Sequence, residues 1–248
     1  MTSAEAERGI VLKTTPLRES DLVVSIYTES LGRISAIARG ARKSQRRFAG
    51  VLQMLVLAKF HLGRRPRGEL WGLDGGEVER EWTRLASDVA AHAHASYANE
   101  LVAELIPSES PEPSVLELVV GLWDNLATVG ASPAALRIFE MALLEVIGQR
   151  PAIDACAACG ETNLETGTVF DPNRGGAICK ACAATSRGPG VRPFAPETRA
   201  YLDAPDDKQF SSEARVAARE AMVAMIVALV GHPLRSLEYI AKLQRSRS

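Results

Sequence analysis

The sequence predicts an α+β, multidomain chain: an N-terminal five-stranded β-barrel, then an α-helical domain carrying an inserted four-cysteine, zinc-finger-like unit. Three observations carry that expectation. The first eighty residues or so break into five short β-prone runs separated by turn residues. From Trp82 onward, apolar residues recur at helical spacing. All four cysteines of the 248-residue chain fall into two matched pairs, Cys156-x-x-Cys159 and Cys179-x-x-Cys182.

Gly9 to Thr15 is the first β-prone run, and Pro16 lies in the turn after it. Asp21 to Thr28 follows, and Gly32 marks the reversal into a third run, Arg33 to Arg39. There Ile34, Ala36 and Ala38 alternate with Arg33, Ser35, Ile37 and Arg39, which leaves one face small and apolar. Val51 to Leu62 makes a fourth strand and Glu69 to Val78 a fifth, interrupted by Gly72 and Gly75-Gly76. Five short strands in so few residues suit a closed barrel such as the OB-fold, a pattern that other small barrels share.

Arg84 to Ile106 then places Leu85, Val89, Tyr97, Leu101 and Leu105 largely four residues apart, and Pro107 ends it. Ser114 to Val129 is a second helix. Ser132 as N-cap, Pro133 at the first helical position and Gly148 after the last apolar turn bracket a third, Pro133 to Ile147. It is apolar most of the way round, so neighbours should bury it. Val169-Phe170 and Ala177-Ile178 flank a turn over Pro172 to Gly176, a hairpin that carries the second cysteine pair. After the Ser/Gly/Pro-rich stretch Thr185 to Pro193, helical signals return at Pro196-Glu197, through Ser212 to Val230, and from Pro233 to Gln244. The expected division is 1–80, barrel; 81–150 with 195–248, helical; 151–194, the cysteine insertion.

Four thiolates fill the coordination sphere of one zinc ion and leave no position for water or substrate, so such a site holds shape rather than performing chemistry. Gly160 supplies the permissive backbone on which the first knuckle turns. A thioredoxin-like pair would want a βαβ unit beside it, and the spacing alone also accommodates an iron–sulfur cluster. Met1 to Gly9 carries Glu5 and Glu7 and lacks the apolar stretch of a secretory signal, so a disulfide framework is not expected. The longest uncharged apolar run, Ala221 to Val230, is about half the length needed to span a bilayer.

Formal net charge is only −1, but charge is sorted along the chain. Ser30 to Gly68 contains no Asp or Glu, while Arg33, Arg39, Arg42, Lys43, Arg46, Arg47, Lys59, Arg64, Arg65 and Arg67 are all cations. Eight of these ten are arginine, the side chain suited to bidentate phosphate contacts. The acid-free pieces Arg39 to Arg47 and Arg64 to Arg67 fall in inter-strand connections, where OB-folds bind oligonucleotides. The candidate residues for binding a polyanion such as DNA or RNA are therefore Arg33, Arg39, Arg42, Lys43, Arg46, Arg47, Arg64, Arg65 and Arg67. Trp71, Phe48 and Phe60 lie near them and suit either base stacking or the barrel core.

Catalytic signatures are missing. Lys43-Ser44 looks like the end of a P-loop, but Arg42 and Ile37 stand at the two glycine positions. Gly-x-Ser-x-Gly, His-Glu-x-x-His and the zinc-deaminase pattern do not occur, and His92 and His94 are two apart on a helix, too divergent for a metal pair. A non-enzyme is expected.

The order of parts resembles the RecO family of bacterial recombination mediators over essentially the whole chain. The resemblance is carried by Gly9-Ile10-Val11-Leu12-Lys13 with Arg18-Glu19-Ser20-Asp21, by Gly32-Arg33-Ile34 running into Ala38-Arg39-Gly40-Ala41-Arg42, and by Leu52-Gln53. Cys156-Ala157-Ala158-Cys159-Gly160, the Cys179 to Cys182 pair and Gly231-His232-Pro233-Leu234-Arg235-Ser236 continue it. The resemblance implies a cytoplasmic, nucleoid-associated DNA repair protein of the RecF pathway. It would bind single- and double-stranded DNA, anneal complementary strands and, with RecR, help RecA replace the single-strand DNA-binding protein, whose acidic tail the family contacts through its helical domain. It implies no membrane and no small-molecule substrate, and many members lack the cysteines. The competing expectations are an OB-fold RNA-binding module and a protein-interaction scaffold.

Overall fold

One strand decides the shape of the N-terminal half. In the computed structural model, which describes residues 5–44, 46–64, 70–164 and 166–245, β1 (Glu5–Pro16) pairs antiparallel with both β4 (Val56–Gly63) and β2 (Leu22–Thr28). Gly9 is held on both sides at once, opposite Thr28 and Ala58. A Cβ there would stand 2.3 Å from the Tyr27 carbonyl oxygen, so the crossing admits only glycine. A register shift between Val11 and Lys13 bends β1 as it passes from one partner to the other.

β3 (Gly32–Ala38) is antiparallel to β2 and runs parallel to the start of β5 (Trp71–Glu81), which returns antiparallel to β4. The barrel closes in the order β1-β2-β3-β5-β4, the OB-type architecture expected from the sequence. Along β3 the expected alternation holds: Ile34, Ala36 and Ala38 point inward with Val24, Ile26, Phe60, Leu62 and Leu73. Phe48 and Val51 join this core from the β3–β4 connection. The fourth strand is shorter than expected. Residues 51–55 make turns, and Leu55 takes a φ of 64°, which no strand interior accommodates.

The helix expected from Arg84 to Ile106 is two helices, α1 (Thr83–Ser87) and α2 (Val89–Leu105). Asp88 separates them with an extended backbone and caps α2 by accepting hydrogen bonds from Ala90 N and Ala91 N at 2.9 and 3.1 Å. Val89, expected in the core, is exposed in the first turn of α2. α3 (Pro113–Val129) follows, and α1 to α3 form one compact unit with the barrel, to which the chain from Tyr239 onward also belongs. Buried polar contacts join helices to strands. Asn99 Nδ2 donates to Val11 O beside the β1 bulge (3.4 Å), and the Tyr27 phenol donates to Glu112 O (2.8 Å) while accepting from Glu112 N (3.2 Å). Trp82 packs edge-on against Trp123, and its indole donates to Asp124 Oδ1 at 2.8 Å.

The second unit, Ala131–Glu238, holds α4 (Pro133–Val146), α6 (Pro196–Asp203) and α7 (Ser212–Val230), with the cysteine-bearing segment between α4 and α6. That segment contains β6 (Val169–Asp171), β7 (Gly176–Ile178), β8 (Arg192–Pro193) and the short α5 (Lys180–Ala183), the strands ordered β7-β6-β8. Ser132 caps α4 as expected, accepting from Ala135 N and donating to Asp207 Oδ2 (2.8 Å). Burial would raise the Asp207 carboxyl, but Ser132, the Tyr201 phenol and Ala134 N outweigh it and hold it low. Most of α4 is buried, including an Arg137–Glu140 ion pair at 2.5 Å, although Ile138 is exposed. α8 (Arg235–Arg245) ends the described chain. Among the described residues no helix is long and apolar enough to cross a membrane.

Candidate nucleic-acid interface and metal centre

The β3–β4 connection, residues 39–55, folds back on itself. Lys43 N and Ser44 N both donate to Gly40 O, Ser44 Oγ accepts from Arg47 N, and the Arg47 guanidinium donates to Arg39 O at 2.9 Å. The loop is tied to the β1–β2 turn as well. Asp21 Oδ1 accepts from Gly40 N (2.8 Å), Ser20 O from Arg42 N (3.1 Å), and Glu19 O from the Arg42 guanidinium (3.2 Å). Gly76 N of β5 donates to Arg47 O (3.3 Å). These contacts gather Arg39, Arg42, Lys43, Arg46 and Arg47 on one loop, all exposed, and none has a carboxylate partner among the described ion pairs.

Sequence reasoning missed Arg18. It is exposed in the β1–β2 turn, and its charge acts with that of Arg39 on Asp21. A search for acid-free runs passes over it because Glu19 and Asp21 are its neighbours. Asp21 is the acid of this corner and works as a tether: the Gly40 N–H, then Ser20 and the two arginines, hold its carboxyl below the usual aspartate range despite some desolvation.

Arg33 and Arg64 belong to a different group. Arg33 is half-buried and donates through Nε to Ile106 O at 2.7 Å. Arg64 lies over the Trp71 ring, 4.7 Å from its centroid, and pairs with Glu109 at 3.4 Å. Arg65 and Arg67 lie outside the described residues. Phe48, Phe60 and Trp71 are all buried, so the structure assigns these rings to the barrel core rather than to a stacking platform. Arg47 covers the Phe48 ring from outside at 5.1 Å.

In the second unit the four cysteine sulfurs lie within 4.8 Å of one another, close enough to hold one metal ion. A tetrahedron of metal–sulfur bonds of about 2.3 Å has edges of about 3.8 Å, and Cys159 Sγ and Cys179 Sγ are 3.8 Å apart. Each pair forms a tight turn, with Gly160 N donating to Cys156 O and Cys182 N to Cys179 O. Burial opposes ionisation of Cys156, but the backbone N–H groups of Cys179, Ala158 and Cys159 aim at its sulfur and lower its pKa to about 6. The proximity of Cys159 and Cys179 pushes Cys182 up to about 12, so four adjacent thiolates call for a cation among them. Gly176 lets this segment lie against the backbone of Ala152, since a Cβ there would stand 2.2 Å from Ala152 O.

Also within this unit, α7 and the segments before β8 and after β6 frame an open groove of about 600 Å³. Pro172, Pro189, Val223 and Val227 give it an apolar floor, and Arg192 and Arg219 stand at its rim. No sequence signal marks it, because its lining comes from three separate segments.

An OB-type barrel with a basic inter-strand loop, followed by helices and a cluster of four cysteines, has the architecture of an oligonucleotide-binding protein. The chain matches the family models described as recombination protein O N terminal over residues 1–81 and recombination protein O C terminal over residues 86–238. It is 36% identical to the DNA repair protein RecO of Anaeromyxobacter sp. strain K over 246 residues, 95% of each chain. It is 32% identical to that of Myxococcus xanthus over 237 residues, 95% of this chain and 96% of the other. A shorter match, 40% over 152 residues, joins it to DNA repair protein RecO of Geobacter sulfurreducens, covering 61% of this chain and 62% of that one. The chain belongs to the RecO family of DNA repair proteins.

Because the folded chain holds Asp21 low, the stability it contributes is full above the unfolded aspartate pKa of about 3.9 and is lost as pH falls through the lower folded value. Asp21→Asn should therefore flatten the pH dependence of the urea midpoint between about pH 5 and pH 2. Equal pH dependence in variant and parent would show that the Gly40 tether does not hold this carboxylate.

Proposed function

We propose that this chain is a non-enzymatic recombination mediator of the RecF pathway. It binds single- and double-stranded DNA, anneals complementary strands and, with RecR, assists RecA in replacing the single-strand DNA-binding protein at the nucleoid. One observation carries the reading: five exposed cations that form no ion pair among the described residues, Arg39, Arg42, Lys43, Arg46 and Arg47, crowd one barrel loop. Two complementary strands repel through their phosphates. A dense arginine surface lowers that repulsion, and the counterions it releases drive association. No covalent step is assigned to the chain, since bringing strands together needs only charge neutralisation and reversible contact. Sequence tolerance follows, because the nearby rings are inside the barrel and the loop offers phosphate contacts rather than base readout.

The metal centre is read as one structural zinc held by Cys156, Cys159, Cys179 and Cys182. Four sulfur donors suit zinc, and when bound the ion would neutralise the thiolates and lock the two knuckles together. The groove beside α7 is read as the seat of the acidic tail of the single-strand DNA-binding protein, with Arg219 at its rim facing the tail's carboxylates and Arg192 held beside it by Glu220.

Replacing Arg39, Arg42, Lys43, Arg46 and Arg47 together by alanine should abolish annealing of complementary oligonucleotides, followed by fluorescence without nucleotide, with folding intact. The slope of log affinity against log salt for single strands should shrink by about 3.5. Normal annealing by that variant would remove the loop from the mechanism. For the metal, elemental analysis should find one zinc per chain, and Cys156→Ser or Cys182→Ser should lose it with a stability loss on the order of 4 kcal/mol. Metal-free protein that melts like the parent would contradict the structural role. For the groove, Arg219→Glu should weaken binding of a peptide copied from that acidic tail by about tenfold in calorimetry; undiminished binding would move the contact elsewhere.

A further inference from the structure

Glu109 is the carboxylate that the fold sets against a candidate DNA-binding arginine. It lies in the connection between α2 and α3 with a φ of 55°, a left-handed conformation that residues other than glycine, asparagine and aspartate seldom take. Its backbone is pinned to the barrel: Glu109 N donates to Arg33 O at 2.8 Å, and Ser108 pairs with Arg33 in an isolated parallel bridge. This lays the segment along β3 beyond the stretch that β5 covers, Ala36 to Ala38. Arg33 returns the contact through Nε to Ile106 O at 2.7 Å.

So presented, the carboxylate reaches two groups. The Trp71 indole donates to Glu109 Oε1 at 3.3 Å, and Arg64 Nη2 stands 3.4 Å from both carboxylate oxygens. The Arg64 guanidinium also rests on the Trp71 ring, which keeps it oriented whether or not the acid is there. Arg64 follows the last residue of β4 and Trp71 is the first of β5, so the trio sits where the β4–β5 connection leaves and rejoins the barrel. Among the described candidate DNA-binding cations, Arg64 alone forms an ion pair with a carboxylate.

We propose that Glu109 is a built-in competitor of DNA: its carboxylate occupies the Arg64 guanidinium where a backbone phosphate of a single strand would bind, and so limits the affinity of the barrel. The pair is suited to displacement. Both side chains are more exposed than buried pairs tolerate, 65% for Arg64 and 49% for Glu109, and their contacts are long. Such exposed pairs contribute little and yield to a better partner, whereas a phosphate can take the guanidinium through two short charge-assisted bonds. A protein that must hold strands and then release a duplex gains from a contact that is contested. The strained backbone of Glu109 is what aims the competitor, since a relaxed conformation would turn the residue out of the trio.

The inference rests on the DNA-binding reading of the barrel. The test uses the full chain and the binding of labelled oligo-dT, measured by anisotropy across a salt series. Glu109→Gln should bind roughly fivefold tighter at low salt, with a salt slope steeper by about 0.7, the increment of one added phosphate contact on a single strand. Glu109→Gly, which suits the left-handed backbone, should show the same gain. Adding Arg64→Ala to either variant should erase it. Parent-like affinity and slope in both Glu109 variants, or a gain that survives Arg64→Ala, would overturn the proposal while leaving DNA binding by the β3–β4 loop intact. A parent chain without salt-dependent binding would overturn both readings.

Discussion

Closure of the barrel through β1 is the constraint from which the N-terminal unit follows. One strand must serve β4 with its first half and β2 with its second, which is possible because Gly9 lets Tyr27 O come close and because the bulge near Leu12 bends the chain. Once β1 is shared, the β1-β2-β3 meander and the β4–β5 pair are brought together, and β3 meets β5 in parallel. That geometry bears directly on function. The chain leaving β3 cannot turn tightly into β4, because β4 lies on the far side of β5, so a long connection has to cross. The connection plugs the barrel with Phe48 and Val51 and turns its arginines outward. The basic loop is thus a consequence of strand order, filled with residues that suit polyanions.

The arginines of the molecule divide by partner. Arg8 bridges Glu79 and Glu117, Arg80 pairs with Asp124, Arg137 with Glu140 in the interior of the second unit, and Arg192 with Glu220. These cations stand against acids and hold elements together or balance one another, and a bulk anion would have to displace a carboxylate to reach them. In the 39–47 loop the condition is different: the Arg42 and Arg47 guanidinium groups are held by backbone carbonyls, which orient a guanidinium without neutralising it. An orienting contact that leaves the charge intact is what a phosphate-binding surface needs.

The cysteine segment answers a different physical problem. Its strands are two and three residues long, too short to close a core by themselves, and the sheet they form has three members. Phe170 and Phe194 supply a small apolar centre at 5.3 Å, and the four gathered sulfurs lie close enough together for one ion to cross-link them. Backbone N–H groups aimed at Cys156 show that the knuckle is shaped for a thiolate.

Much of this was readable from the chain alone, because it depends on near neighbours. Alternation in Arg33 to Arg39 located a strand, Ser132 with Pro133 located a helix start, and paired cysteines located a cluster of four sulfurs, each a signal carried within a few residues. The misreadings have local causes too: Leu52 to Leu55 is apolar enough to pass for strand, and Asp88 was hidden in a helical pattern that it both interrupts and caps. The uneven charge was equally plain as a count of residues. What no count contains is the partner of each charge. Arg33 is taken by Ile106, Arg64 by Glu109 and Trp71, and Arg18 joins Arg39 around Asp21. Local pattern in the chain was enough to place the barrel, the helices, the cysteine cluster and the stretch that carries the positive charge. Which of those charges meet a carboxylate depends on the folded arrangement, because neutralisation acts over a few ångströms, between residues that lie tens of positions apart in the chain.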